Sequence, residues 1–536
     1  MIHFFDLPRE VRGLIYEQYV SIPGGYVLGD FEHNTLKGAD GTPIDLSLMR
    51  TCKAIAREME GVALASNTLN FSTFYSEDHR TAAGRFDMML KEFHSLMGFF
   101  FEGVEHSSFI VPDDVWAEIR RAYPLFGPYI DVIKSKPSII NLGPEGCCGE
   151  TPSVFRSFIQ FAMQTITSHE DLFDPKLFAR FGNEFCKRDS FESGVNFKVD
   201  PWVVPTSRSV EDMCVRAHVL DRVDVDWQAN YKTEPNPGLM KHRYSAAAVA
   251  IRFFKSLAIS TRSNIRHLVL HEDRKAVGFA ECHGLGLIPF CQENSRLRVH
   301  RRVSMWQTVF QTITAQRFCY PLAIHVARRS LYANVISYPM AIWIVEALEL
   351  ERAGMPLGSF RLIFEGDRSC TEIFQGVVQR DAAWQRALDL CVERGHLPPV
   401  SWEMRRWDSR ARFLEPVDGG NSWSCGQETR NVYLFEAFPQ AIDDIRAKNS
   451  IISCNFDLGM AWDADQVVLS NKGWTSNEWS KAWFDRDQLW YEPSLPSPSW
   501  TELLCDNSLD TRLPWTRDDH PDWWDNRPEW MIESSV

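Results

Sequence analysis

The chain holds 13 cysteines in 536 residues, yet no two of them form a C-x-x-C pair. The commonest spacings for structural zinc and for thiol redox chemistry are therefore absent. There is no G-x-S-x-G elbow, phosphate-binding loop or dinucleotide fingerprint, and Gly278, Gly284 and Gly286 do not stand at phosphate-binding spacing. Long apolar runs are also missing. The most apolar segment, residues 336–350, contains Pro339 and Glu346 and is too short to span a bilayer. No segment repeats at a fixed period, which removes the usual signature of a solenoid. Basic residues are few for the length. The 57 Lys and Arg against 71 Asp and Glu leave a net charge of −14, which argues against general binding to nucleic acid or anionic membranes. No N-terminal stretch joins a basic region to an apolar run. With an odd, scattered cysteine count, this leads to an expectation of reduced thiols in the cytoplasm or nucleus.

What is present suits a packed protein. Hydrophobic residues make up 44% and charged residues 24%, enough for a core and for two to four domains. The most specific pattern lies in the first seventy residues. Phe4-Phe5-Asp6-Leu7-Pro8-Arg9-Glu10-Val11-Arg12 leads into Leu14-Ile15-Tyr16. Pro8 suits a first helical turn, and Asp6 and Glu10 place negative charge near the positive end of the helix dipole. Val11, Leu14, Ile15 and Tyr19 recur at helical spacing and predict one apolar face. Pro23-Gly24-Gly25 should stop this helix. A second helix is expected over residues 46–64, with Leu48, Cys52, Ile55, Met59 and Val62 facing the first. Asn67-Thr68 reads as a turn into an extended piece at residues 69–71.

These residues resemble the fungal F-box-like domains, including the variety marked by an E-x-R signature. Glu10-Val11-Arg12 supplies the signature, and Leu7-Pro8-x-Glu10 with Ile15-Tyr16 resembles the family's first helix. Leu48-x-x-Thr51-Cys52-Lys53-x-Ile55, followed by Arg57-Glu58, resembles its later helix. The resemblance covers about one seventh of the chain. It implies that Leu7, Pro8, Val11, Ile15, Tyr16, Leu48, Cys52 and Ile55 form a partner-binding surface. The implied partner is a Skp-family adaptor of a cullin–RING ubiquitin ligase, with the rest of the chain selecting a substrate protein. One departure stands out: about two dozen residues rich in glycine separate the helices, and Tyr26-Val27-Leu28 within them has the character of a strand.

Beyond residue 75 the pattern is a mixture of helices and a few strands. Residues 85–101, 152–166 and 245–259 read as apolar helices. Residues 265–270 read as a buried strand, similar to one strand of a leucine-rich repeat but with no second copy to stack on. A strand at residues 360–364 precedes a helix that the capping box Ser369-x-x-Glu372 should open. Ile373, Val377, Trp384, Leu388 and Cys391 line one side of that helix. Gly395 and Pro398-Pro399 should end it.

Candidate chemistry is thin. His267, His271, Glu272, Asp273, Cys282, His283 and Cys291 cluster in the sequence, but histidines four apart face one metal only on a helix, and residues 265–270 read as a strand. Polar residues at a strand exit are the simpler account. Glu272 and Glu281 have the chemistry of acids or bases, with nothing to place them together. Cys147-Cys148 is a candidate reactive pair, although adjacent cysteines rarely form a relaxed disulfide. The basic run at residues 296–302 would either grip an acidic partner or phosphate, or form a solvated edge whose charges pair with the protein's own carboxylates. Its alternation of Arg298 and His300 with Leu297 and Val299 suits a half-buried strand. Thirteen of the 19 tryptophans follow residue 400, and Trp515, Trp523, Trp524 and Trp530 lie in an acidic tail expected to dock on the body.

The expectation is thus a predominantly helical α+β protein. An F-box-like helical module with a Gly-rich insert (residues 1–75) packs on an irregular mixed body (76–420), which carries a Trp-rich acidic C-terminal region (421–536). No catalytic residue, metal or cofactor is expected, and neither nucleic acid nor membrane is an expected partner. The expected role is protein–protein interaction, as a substrate receptor in ubiquitin ligation. The alternatives are an interaction or structural protein in which the F-box-like helices are only core, and, less favoured, an enzyme with dispersed catalytic residues.

Overall fold

The computed structural model describes residues 3–106, 111–135, 150–169, 188–228, 237–311, 331–333, 336–399, 433–487 and 489–509. Helix α1 (Arg9–Val20) follows Pro8 and ends where the chain turns through Pro23 and Gly24 into a hairpin. The glycine-rich insert supplies that hairpin, β1 (Tyr26–Asp30) and β2 (Thr35–Gly38). The single second helix expected from the sequence is broken. A short 3-10 turn covers Ser47–Arg50, α2 covers Lys53–Glu58 and α3 covers Val62–Ser66. Gly61 separates α2 from α3 at φ +76, a conformation that an L side chain would strain, with the Asn264 side chain against it.

The packing of α1 also differs from the expected apolar face. Tyr16 and Val20 point inward and form a small core with Ile55 and Met59. Val11, Leu14, Ile15 and Tyr19 stay in solvent, at 39, 65, 39 and 37% exposure. Asn67 then fastens the unit. Its buried side chain accepts from Ile22 N and donates to Val20 O and Ala63 O, each at 2.9 Å. It therefore joins the end of α1 to α3 and to the start of β3 (Thr68–Ser72).

From β3 the chain builds a sheet in its own order. The neighbours run β2, β1, β3, β4 (His267–Glu272), β5 (Arg298–Ser304), β7 (Phe360–Glu365) and β8 (Ile452–Cys454). Every pairing after the β1–β2 hairpin is parallel. The sheet thus crosses the expected boundary at residue 75, and the N-terminal module and the body share it. A pair of short strands, β6 (Leu331–Tyr332) and β9 (Trp490–Tyr491), forms a separate antiparallel ribbon. Strand β4 does have stacking neighbours, contrary to the reading of a lone repeat-like strand. The intervals between the strands are too unequal to leave a period in the sequence.

Alternation divides each strand. Leu69, Phe71, Leu268, Leu270, Val299, Val303, Leu362 and Phe364 enter the main core, where Val249 and Phe253 of the helix Ala246–Ser256 and Ile344 of the helix Ser337–Arg352 also lie. Right-handed crossovers between strands taken in chain order carry their connections to one side of the sheet. The other side holds polar and basic residues. The long β3–β4 connection carries its own helical unit, including α4 (Glu77–His106), α5 (Asp113–Ala122), α6 (Gly127–Ser135) and α7 (Pro152–Ser168). Phe86, Leu90, Trp116, Phe126, Phe158 and Met163 are part of a second core there. The fold is α+β and mostly helical.

The helix after β7 starts at Asp367, not at the expected Ser369 capping box. Asp367 accepts from Ser369 N at 3.0 Å, and Gly395 at φ +70 follows the helix's end. Trp384 of this helix meets Trp479 and Trp483 in a third core, so this part of the Trp-rich region packs on the body. Trp500 is buried beside Trp306. Trp515, Trp523, Trp524 and Trp530, like Cys147 and Cys148, lie outside the described residues.

Buried charge ties the layers together. Glu272 at the end of β4 accepts two bonds from Arg301 of β5, at 2.9 and 2.8 Å, and both side chains are almost fully buried. The same carboxylate accepts from Ala246 N and Ala247 N at the start of the helix Ala246–Ser256. Removing one member of a buried pair typically costs about 3–5 kcal/mol. Arg301→Ala should therefore lower the free energy of urea unfolding by about that much. The double variant Arg301→Met with Glu272→Leu should cost less than the two single changes added together.

Candidate functional site

Two surfaces stand out, and each is built from residues singled out in the sequence. The first is α1. Arg12, the arginine of the E-x-R signature, donates to Glu58 through Nε at 2.9 Å and through its terminal nitrogen at 2.5 Å. Tyr16 Oη donates to the same carboxylate at 2.9 Å, and Arg12 also donates to Leu7 O at 2.6 Å. Arg12 thus clamps α1 to the end of α2. The Arg12 guanidinium, followed by the Tyr16 hydroxyl, holds the Glu58 carboxyl down to about 2. Of the expected partner-binding residues, Pro8, Val11, Ile15 and Cys52 are exposed and Leu7 and Leu48 are half-buried. Tyr16 and Ile55 lie inside the small core. Phe5 and Leu14, not assigned to that surface from the sequence, extend the exposed apolar strip.

The second surface is the open side of the sheet. Register aligns its side chains in rows across the strands. Thr68, His267 and Arg298 form one row. Asn70, Val269, His300 and Arg361 form the next. Ser72, His271, Arg302, Ile363 and Ser453 form a third. His267, Arg298, His300 and Arg361 are exposed. Arg302 donates to Glu365, which sits one row further along, at 2.7 Å from Nε. His267, His300 and Arg361 have no carboxylate partner among the described residues. Burial first, and then the charge of Arg361, depresses the His300 imidazole, while burial and then Arg302 depress His271. The positive charge of this side therefore rests on its arginines, of which Arg298 and Arg361 are exposed and Arg302 is paired with Glu365.

The basic run divides by side of the strand. Arg301 and Arg302 pair with the protein's own carboxylates, and Arg298 and His300 face solvent. The alternation of residues 297–300 indicated a strand, but only the register shows that Arg361, sixty residues on, stands beside His300.

The suspected metal ligands do not converge. His267 and His271 share the open side of β4, but four residues of strand separate them by roughly 13 Å. Cys282, His283 and Cys291 are buried elsewhere. Among the described residues no group of three or more His, Cys, Asp or Glu is placed to hold a metal ion. Ser245 and His283 meet at 2.6 Å, a contact that evokes nucleophilic catalysis. Both are fully buried, Ser245 caps its helix through Ala248 N, and His283 Nε2 is bonded to Gly278 O. Burial holds that imidazole down at about 3, so it serves as a neutral strut. Glu281 and Glu272 are not joined by a shared bond: Glu272 belongs to Arg301. Glu346, pushed up to about 7 by burial, accepts from Ser153 N and Oγ at the junction of α7 and the helix Ser337–Arg352.

No protein-family model, curated protein or solved structure matches this chain.

The clamp on α1 predicts a pH dependence. Glu58 has a folded-state pKa below its ordinary value near 4.5, so its contribution is complete above that value and is lost as pH falls toward about 2. Glu58→Gln should lower the melting temperature at neutral pH, and the gap from wild type should narrow through that window. A gap that stays constant in thermal melts down to about pH 3 would mean that the ionised form of Glu58 adds no stability.

Proposed function

We propose that the chain is a protein–protein interaction protein whose N-terminal helices dock on a Skp-family adaptor, making it a substrate receptor for a cullin–RING ubiquitin ligase. One observation carries the reading. The apolar residues of α1 that helical spacing would assign to a core stand in solvent, while a different pair, Tyr16 and Val20, does the packing. A helix that spends its best apolar face on solvent is costly to solubility and marks an interaction site. The strip is presented rigidly, because Arg12, Glu58, Tyr16 and Asn67 lock α1 to the segments behind it. The motif resemblance supplies the identity of the partner, and the interior position of Tyr16 and Ile55 narrows the contact to Val11, Leu14 and Ile15 with Phe5 and Pro8.

The glycine-rich insert is also accommodated. It leaves α1 as the hairpin β1–β2 at the edge of the sheet. A second reading, in which the helices serve only as part of the core, draws on Tyr16, Val20, Ile55 and Met59 and leaves the exposed strip without a role.

The test is direct binding of purified full-length protein to a purified Skp-family adaptor. Micromolar or tighter binding is expected. Leu14→Asp with Ile15→Asp should weaken it at least tenfold with little change in the melting temperature, because surface changes usually stay within about 0.5 kcal/mol. Absence of binding by the wild type at micromolar concentration would remove the ligase reading.

A further inference from the structure

The open side of the sheet has a feature that stability alone does not explain. In register, His267 stands beside Arg298, His300 beside Arg361, and His271 beside Arg302. Arg298 and Arg361 stand on the neighbouring strands β5 and β7, and both are exposed on this side. Here Glu365 serves Arg302, at one margin of the patch. The middle row, His300 and Arg361, has no carboxylate among the described residues, and Arg298 bonds only to the carbonyls of Ser295 and Leu297. Burial first, and then Arg302 and Arg361, depress the imidazoles of His271 and His300, so the positive charge of this side is that of its arginines. Exposed arginines with no carboxylate beside them attract an anionic partner.

The shape of the patch indicates the ligand. The rows are three to five residues wide, and Val269 and Ile363 stand between the charges. Neighbours within a row stand about 4.8 Å apart and successive rows about 6.6 Å apart, the spacing of alternate side chains on an extended chain, which suits such a chain laid over the sheet with acidic side chains among a few apolar ones. A long polyanion such as nucleic acid fits less well. It would also meet the net charge of −14 on the rest of the protein. We infer that the open sheet side, centred on Arg298, His300 and Arg361, binds an acidic, extended segment of a partner protein. This rests on the proposed function only in that the partner would be the receptor's target.

The probe is a fluorescent twelve-residue peptide of alternating Glu and Val, titrated into the full chain at low and moderate salt. Saturable binding that weakens with salt is expected. Arg298→Glu with Arg361→Glu should weaken it at least tenfold. The neutral pair Arg298→Gln with Arg361→Gln should give an intermediate loss, which guards against a reversal that disturbs folding. Both pairs should leave adaptor binding unchanged, and Leu14→Asp with Ile15→Asp should leave peptide binding unchanged. Peptide binding without adaptor binding would therefore remove the ligase reading and keep this one. Four results overturn the inference. Wild type fails to bind; or the reversal has no effect; or single-stranded DNA of equal charge binds this surface more tightly. In the fourth, binding appears only when Asp518, Asp519, Asp522 and Asp525 are changed to Asn, which makes the chain's own tail the occupant.

Discussion

The sheet depends on one buried carboxylate. Glu272 ends β4, receives both arms of the Arg301 fork from β5, and accepts the first backbone N–H groups of the helix Ala246–Ser256. Arg301 reaches on to the carbonyls of Ala280 and Glu281, and its guanidinium lies over the Trp343 ring. Two strands, their connecting segment and two helices thus meet at one ion pair. Arg301 is the inward member of a basic strand, and without Glu272 it would be a buried charge in an apolar layer. The pair sets β4 and β5 in the register that turns Arg298, His300 and Arg302 outward. A slip by one residue would bury those three and expose Val299, Arg301 and Val303.

Order along the sheet explains why a second side remains open. Strands laid down in chain sequence, joined by crossovers of one hand, put their helices on one side. Doubly wound sheets reverse the strand order, and the reversal covers both sides and creates the crevice where small ligands bind. There is no such reversal between β3 and β8. A broad shallow surface follows instead. That shape suits a polypeptide more than a small molecule, which favours a concave pocket.

Local signals in the sequence were legible where local chemistry decides the structure. The helices over residues 152–166 and 245–259, the strands near residues 265–270 and 360–364, and the stop at Gly395 all follow from periodicity, caps and glycine. Long-range pairing was not legible. Nothing near residue 300 announces that Arg361 will lie beside His300, or that residues 68–72 will pair with residues 267–271 across the whole helical unit. On α1 the apolar period identified a real face but not its direction. Tyr16 was drawn inward because Glu58 and Arg12 satisfy its hydroxyl there, and Val11, Leu14 and Ile15 were left outside. The cap at Asp367 displaced the expected one at Ser369 because a carboxylate two residues earlier already bonds Ser369 N and Oγ.

The geometry between the two surfaces follows from Asn67. Its amide joins the C-terminal end of α1 and α3 to the first residue of β3, and Thr68 opens the first row of the open sheet side. The apolar strip on α1 and the basic rows are therefore parts of one rigid framework, with β1 pairing directly on β3. The glycine-rich insert joins the same framework: it becomes the hairpin β1–β2 at the edge of the sheet, and β1 ties it to β3.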